Sequence, residues 1–191
     1  MKLQDIINFF DSRAEKWDEI NTHNPQVIEK IMDLGGIKDS ALVLDIACGT
    51  GVLFPHYTER NAIVTGIDIS PEMVRIVNKK FKNANVICGD AATYDFGEQF
   101  DVIMIYNAYP HFENPKALFA NLSKHLKSGG RISVSHGASR EEIQKCHSNI
   151  TEDISLDLPE AHEVAKIMSD FFDVDIVISD SNMYMVSGIK E

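Results

Sequence analysis

Apolar residues recur every three or four positions at the start of the chain. Leu3, Ile6, Ile7, Phe10, Ala14 and Trp17 fall on one stripe, which predicts a single amphipathic helix. Asn24 followed by Pro25 is an N-cap with proline at the first helical position, and Gly35-Gly36 closes that second helix. From residue 41 the period changes. Residues 41–46 are a nearly continuous apolar run, as expected for a strand covered on both faces. Further strands are predicted over 62–67, 86–88, 102–105 and 131–135. A helix opens at Ser70-Pro71-Glu72, with cap, proline and acidic first turn in place, and runs to about Phe81. Another opens at Pro115, carries Leu118, Phe119, Leu122 and Leu126, and is ended by Ser128-Gly129-Gly130. Strands alternating with helices imply a parallel sheet with right-handed crossovers, a doubly wound Rossmann-like α/β fold. The end of the chain departs from this pattern. After a helix over 160–171, strands at 174–178 and 183–186 are joined by Ser179-Asp180-Ser181-Asn182. That link is too short for a crossover helix, so the pair is an antiparallel hairpin at one sheet edge.

Composition narrows the partners. The 191 residues fit one domain, with helices over 1–38 as an N-terminal cap, 39–137 as the core, and 138–191 as an insertion, helix and hairpin. A net charge of −11 repels phosphate backbones and anionic lipid, so neither nucleic acid nor membrane is an expected partner. No apolar run approaches the ~20 residues of a membrane span, and Met1-Lys2-Leu3-Gln4-Asp5 lacks the apolar core of a signal peptide. Cys48, Cys88 and Cys146 are far apart and odd in number, against a disulfide framework or a Cys-rich zinc site. A reducing cytoplasm is the expected location.

The chemistry concentrates at the ends of the early strands. Asp45-Ile46-Ala47-Cys48-Gly49-Thr50-Gly51 is a glycine-rich turn between a strand and a helix, where ligands bind in this fold class. Asp68 ends the second strand and Asp90 the third. An acid about 20 residues after the glycine turn accepts hydrogen bonds from ribose hydroxyls in such folds. Three neighbouring carboxylates would repel a pyrophosphate and suit a ligand that is cationic or rich in hydroxyl and amino donors. The full dinucleotide fingerprint would place a third glycine where Phe54 stands, which disfavours an NAD-dependent oxidoreductase.

These motifs together resemble the class I S-adenosylmethionine-dependent methyltransferases. The similarity runs from about Phe9 to the C-terminus. It rests on the glycine turn; on Gly66-Ile67-Asp68-Ile69-Ser70 with Pro71-Glu72-Met73; on Gly89-Asp90-Ala91; on Phe100-Asp101-Val102-Ile103; and on Leu126-Lys127-Ser128-Gly129-Gly130. Phe10-Asp11, Ala14 and Trp17-Asp18 look like the cap of the small-molecule branch related to quinone-biosynthesis enzymes. The resemblance implies a mostly parallel seven-stranded sheet with an antiparallel last strand. It also implies S-adenosylmethionine as methyl donor and S-adenosylhomocysteine as product. Carried over by position, Asp68 binds the ribose hydroxyls, Asp90 and the Ala91 backbone meet the adenine, and Ile69 packs on its face. Gly49 and Gly51 line the methionine portion, Ala47 is a further donor-binding residue, Asp45 holds the ammonium directly or through water, and Asn107 faces the methionine moiety and the acceptor.

The implied reaction is in-line displacement at the sulfonium methyl, which requires no metal and leaves the acceptor open. A chain of this length has room for a core and a cap, so a small-molecule acceptor is expected. His111 is the candidate general base, because histidine titrates near neutrality. Trp17, Tyr109 and His136 are candidate acceptor-site residues, and the stretch from His136 to about Leu158 suits an acceptor-site wall. His136 with Cys146-His147 shows no recognised metal-ligand spacing, and Glu141, Glu142, Glu152 and Asp153 read as solvated residues. A donor-binding protein without catalysis is the competing reading, since a binding site persists without an acceptor pocket.

Overall fold

A computed structural model describes residues 2–148 and 154–191. Its strands are β1 (Leu42–Ile46), β2 (Ile63–Asp68), β3 (Asn85–Cys88), β4 (Phe100–Tyr106), β5 (Leu126–His136), β6 (Asp173–Ser179) and β7 (Tyr184–Ile189). They form one sheet in the order β3-β2-β1-β4-β5-β7-β6. The first five pair in parallel. β7 inserts antiparallel between β5 and β6, so the predicted hairpin is present and its first strand is the sheet edge.

Burial explains the apolar runs. In β1, Leu44 and Ile46 join Ile103 and Ile105 on one face, packed under α6 (Pro115–Leu122) and α8 (Ala161–Met168). Val43 joins Val102 and Met104 on the other face, under α3 (Pro25–Leu34), α4 (Phe54–Glu59) and α5 (Pro71–Lys80). The predicted caps are made. The Asn24 side chain accepts from Gln26 N at 3.0 Å, and Ser70 Oγ accepts from Met73 N at 3.1 Å.

Two elements differ from expectation. The first stripe is not one helix: α1 (Leu3–Arg13) is followed by a 3₁₀ turn at Ala14–Lys16 and a short α2 (Trp17–Ile20). Residues seven apart on a continuous helix stand roughly 10 Å apart along its axis. The tighter turn instead brings Trp17 edge-on to Phe10, with ring centroids 5.4 Å apart, while Ala14 is buried against Met73 and Ile76. Likewise the helix from Pro115 stops at Leu122 rather than running on to Leu126. Leu126 already pairs with Phe100 of β4, and Lys190 Nζ takes the Ser123 and Leu126 carbonyls at 2.6 and 2.8 Å. Ser128-Gly129-Gly130 is therefore an irregularity within β5. The stretch after β5 contains α7 (Arg140–Ser148). The His147 side chain, Glu152 and Asp153 lie outside the described residues.

Candidate donor and acceptor site

β1, β2 and β4 run parallel and end together. A cavity of about 730 Å³ lies over those ends, within the range of small-molecule sites. α1 and α2 roof it with Ile6, Phe9, Phe10 and Trp17.

The floor is the glycine turn. Ala47, Gly49 and Gly51 have φ of +53°, +54° and +84°, the left-handed region that lets the chain reverse within a few residues. A Cβ on Gly49 would meet nothing closer than Trp17 Nε1 at 4.0 Å, so this glycine leaves its backbone open to an occupant. Gly51 does not line the cavity. A Cβ there would stand 2.8 Å from Val77 and 2.9 Å from Phe81, in the layer beneath.

Asp45 and Asp68 both line the cavity and are 2% and 7% exposed. Asp68 Oδ2 accepts from Gly49 N at 2.8 Å and its Oδ1 from Ser70 N at 2.9 Å. Burial nevertheless pushes its carboxyl up to about 6 against those bonds, and the nearby Asp11 adds to the rise. Asp45 is pushed well above the ordinary carboxylate range, by burial first and then by the charge of Asp68. The Tyr57 hydroxyl makes no hydrogen bond of ordinary geometry, yet it lies near enough to Asp45 to favour the carboxylate. Among the described residues no protein cation forms an ion pair with either acid. Two coupled carboxylates without a counter-charge favour an occupant that brings positive charge and hydrogen-bond donors.

The remaining donor-side residues converge on the same space. Ile69, Asp90, Ala91, Asn107 and Ala108 line the cavity. Asp90 Oδ1 accepts from Ala92 N at 2.9 Å, which fixes the turn after β3. Asn107, at φ +52°, accepts Gly137 N on its Oδ1 at 3.0 Å and so ties the ends of β4 and β5 together.

On the acceptor side, Trp17, His111 and His136 line the cavity, and Tyr109 does not. Tyr109 and His111 share a 3₁₀ turn, Tyr109–His111, whose three residues per turn send them in different directions. Tyr109 is 2% exposed with its ring stacked on Phe119, and burial pushes its hydroxyl up to about 12. His111 Nδ1 lies 2.9 Å from the Ile154 carbonyl. A carbonyl only accepts, so Nδ1 carries a proton and the basic lone pair of the neutral ring is on Nε2. His136, at the end of β5, packs edge-on against Tyr184.

Sequence reasoning passed over His23. It lies in the link between α2 and α3, lines the cavity, and places Nδ1 3.3 Å from the Tyr106 hydroxyl. Burial lowers its pKa, partly offset by Asp18. No motif marks a lone histidine in a loop, so only the fold of the cap reveals it.

Known proteins bear the same stamp. A methyltransferase-domain family model matches residues 43–130. The chain is 30% identical over 146 residues to (S)-coclaurine N-methyltransferase of Papaver somniferum, covering 71% of this chain and 42% of that one. It is 28% identical over 139 residues to a ubiquinone biosynthesis O-methyltransferase of Pseudomonas fluorescens, covering 64% and 58%. This chain thus spans only about half the length of those curated relatives. In three dimensions it superposes on magnesium protoporphyrin IX methyltransferase of Synechocystis PCC 6803, solved with bound S-adenosylhomocysteine. The TM-score is 0.76 at 17% identity, over 100% of both chains. The fold, the glycine turn and these matches define a Rossmann-like methyltransferase domain. Over residues 43–130 the chain matches the methyltransferase-domain family, and its fold is the one seen in S-adenosylhomocysteine-bound methyltransferases.

Proposed function

We propose that this protein binds S-adenosylmethionine in the cavity over β1, β2 and β4 and methylates a small-molecule acceptor. The observation that carries this reading is the pair of buried carboxylates, Asp45 and Asp68, beside an open glycine turn and without a protein counter-charge among the described residues. When bound, S-adenosylmethionine supplies a methyl group already activated by a sulfonium centre. Asp68 accepts the ribose hydroxyls, Asp90 and the Ala91 backbone receive the adenine edge, and Ile69 covers its face. Asp45 holds the ammonium, while Ala47, Gly49 and Asn107 border the methionine portion. Trp17 and His136 wall the acceptor. The work left to these side chains is alignment, which supplies up to about 7–11 kcal/mol of a barrier.

The N- and O-methyltransferases among the relatives, named for (S)-coclaurine and for ubiquinone biosynthesis, support a small-molecule acceptor. The net charge of −11 disfavours nucleic acid. No helix among the described residues is long and apolar enough to cross a membrane.

Thermal unfolding tests the donor. S-adenosylhomocysteine at about 100 times its dissociation constant adds roughly 2.7 kcal/mol. That raises the midpoint of a domain this size by about 5–10 °C. NAD leaves it unmoved. A shift with NAD and none with S-adenosylhomocysteine would overturn the reading.

His111 is the general base of this proposal, its lone pair set on Nε2 by the bond to Ile154. His111→Ala is expected to cut turnover at least about tenfold, a lower bound beneath the roughly 100- to 10,000-fold that a general base supplies. Donor affinity should hold. Release of S-adenosylhomocysteine in an acceptor screen measures the first, titration calorimetry the second, and equal turnover in the variant removes His111 from the chemistry.

A further inference from the structure

Asp68 sits at the middle of a chain of hydrogen bonds whose two ends both lie in the cap. At one end, Ser70 N donates to Asp68 Oδ1, and the Ser70 hydroxyl donates at 2.5 Å to Asp11 Oδ1 of α1. The same Asp11 oxygen accepts Glu72 N at 3.2 Å, so a cap side chain helps close the N-terminus of α5. At the other end, Gly49 N donates to Asp68 Oδ2, and the hydroxyl of the next residue, Thr50, donates at 2.5 Å to Asp18 Oδ1 of α2. Asp18 Oδ2 takes Lys80 Nζ at 2.8 Å, from the last turn of α5. Each aspartate directly follows a ring of the cavity roof, Asp11 after Phe10 and Asp18 after Trp17, and the two rings touch. An exposed ion pair, Glu15 with Arg75, joins the same segment to α5 without touching either donor-site loop.

The roof therefore hangs from the two loops that position Asp68. Displacing α1 and α2 breaks both bonds to Ser70 and Thr50, and frees the amides of Ser70 and Gly49 to drift from the Asp68 oxygens. Conversely, an occupant that fixes Asp68 and the glycine turn fixes the hydroxyls on which the cap depends. Interactions that share an intermediate group are coupled, and the coupling is reciprocal. We propose that Asp11 and Asp18 are positioning residues that link donor binding to closure of the acceptor roof, so that each stabilises the other. Neither needs to touch the donor. The cap then assembles the acceptor pocket only where a donor already lies, which shields the methyl donor from water until the acceptor is enclosed.

This inference rests on the donor reading above, and one set of measurements on the full chain separates the two. In the wild type, saturating S-adenosylhomocysteine is expected to slow amide hydrogen exchange at least about fivefold across residues 3–20. In calorimetry, Asp11→Ala and Asp18→Ala each weaken S-adenosylhomocysteine at least about fivefold. Asp11→Asn, which keeps an acceptor oxygen toward Ser70, recovers most of that loss. Glu15→Gln stays within about twofold of wild type, as expected for an exposed pair. If the alanine variants do not fold, the exchange experiment on wild type still decides. Cap amides that exchange equally with and without a bound ligand overturn the coupling, as do folded alanine variants with wild-type affinity. A wild type that fails to bind S-adenosylhomocysteine at all removes the donor reading, and the coupling with it.

Discussion

Asp68→Ala is expected to weaken S-adenosylhomocysteine at least about 100-fold, the largest effect on binding of any single change in the site. A hydrogen bond to a charged group contributes about 1.5–3 kcal/mol, and two ribose hydroxyls on one carboxylate together reach the ~3 kcal/mol that 100-fold requires. The variant also releases Gly49 N and Ser70 N, which Asp68 holds at 2.8 and 2.9 Å. The carboxyl is pushed up to about 6 in the folded protein by burial, above an ordinary value of 3.8, so keeping it ionised costs about 3 kcal/mol. The sign follows from that rise. A folded-state value above the unfolded one gives stability at acid pH that is lost as pH climbs from about 4 through about 6. Hydroxyl donors favour the carboxylate, so donor affinity should rise with pH through about 6 and then level off. Calorimetry between about pH 5 and about pH 8 checks both statements. Asp68→Asn should lose the part of this dependence due to residue 68, leaving whatever Asp45 contributes. An Asp68→Ala protein that binds as tightly as wild type would end the donor assignment.

How far the chain could be read in advance depended on how local the cause of each feature was. The strands were visible because burial on both faces forces nearly continuous apolar runs such as Leu42–Ile46, which only Asp45 interrupts. The helix starts were visible because Asn24, Ser70 and their prolines act on amides two or three residues away. Where distant contacts decide, the sequence was mute. The break after Arg13 depends on Trp17 turning back to Phe10 and Ala14 seating on α5. The early stop at Leu122 depends on Lys190, from the far end of the chain. The proposed donor side followed the same rule, since Asp45 and Asp68 sit at the ends of strands that periodicity alone locates. The acceptor side did not. Tyr109 and His111 are two residues apart, and only the 3₁₀ turn sends one into the core and the other to the cavity. His23 and Tyr106 meet across 83 positions of sequence.

The two glycines of the turn, alike in sequence and both assigned to the methionine portion, are expected to behave differently when each gains a methyl group. Gly51→Ala should destabilise the protein by about 2–5 kcal/mol. The left-handed backbone at φ +84° costs an L-residue about 1–2 kcal/mol. Overpacking a filled core costs about 1–3 kcal/mol more. The new carbon would meet Val77 Cγ2 at 2.8 Å, Phe81 at 2.9 Å and Phe54 at 3.3 Å, two of them rings with little room to yield. In a domain of 191 residues that lowers the unfolding midpoint by about 5–20 °C. Gly49→Ala should lose only about 1–2 kcal/mol, because its backbone strain comes without a clash: the nearest atom is Trp17 Nε1 at 4.0 Å. Its methyl would project instead into the space bordering the methionine portion, and the loss should appear in S-adenosylhomocysteine affinity per folded molecule. Calorimetric unfolding and titration on both variants give the contrast directly. Core damage belongs to Gly51 and ligand exclusion to Gly49, and the reverse pattern would mean that the turn presents its other side to the donor.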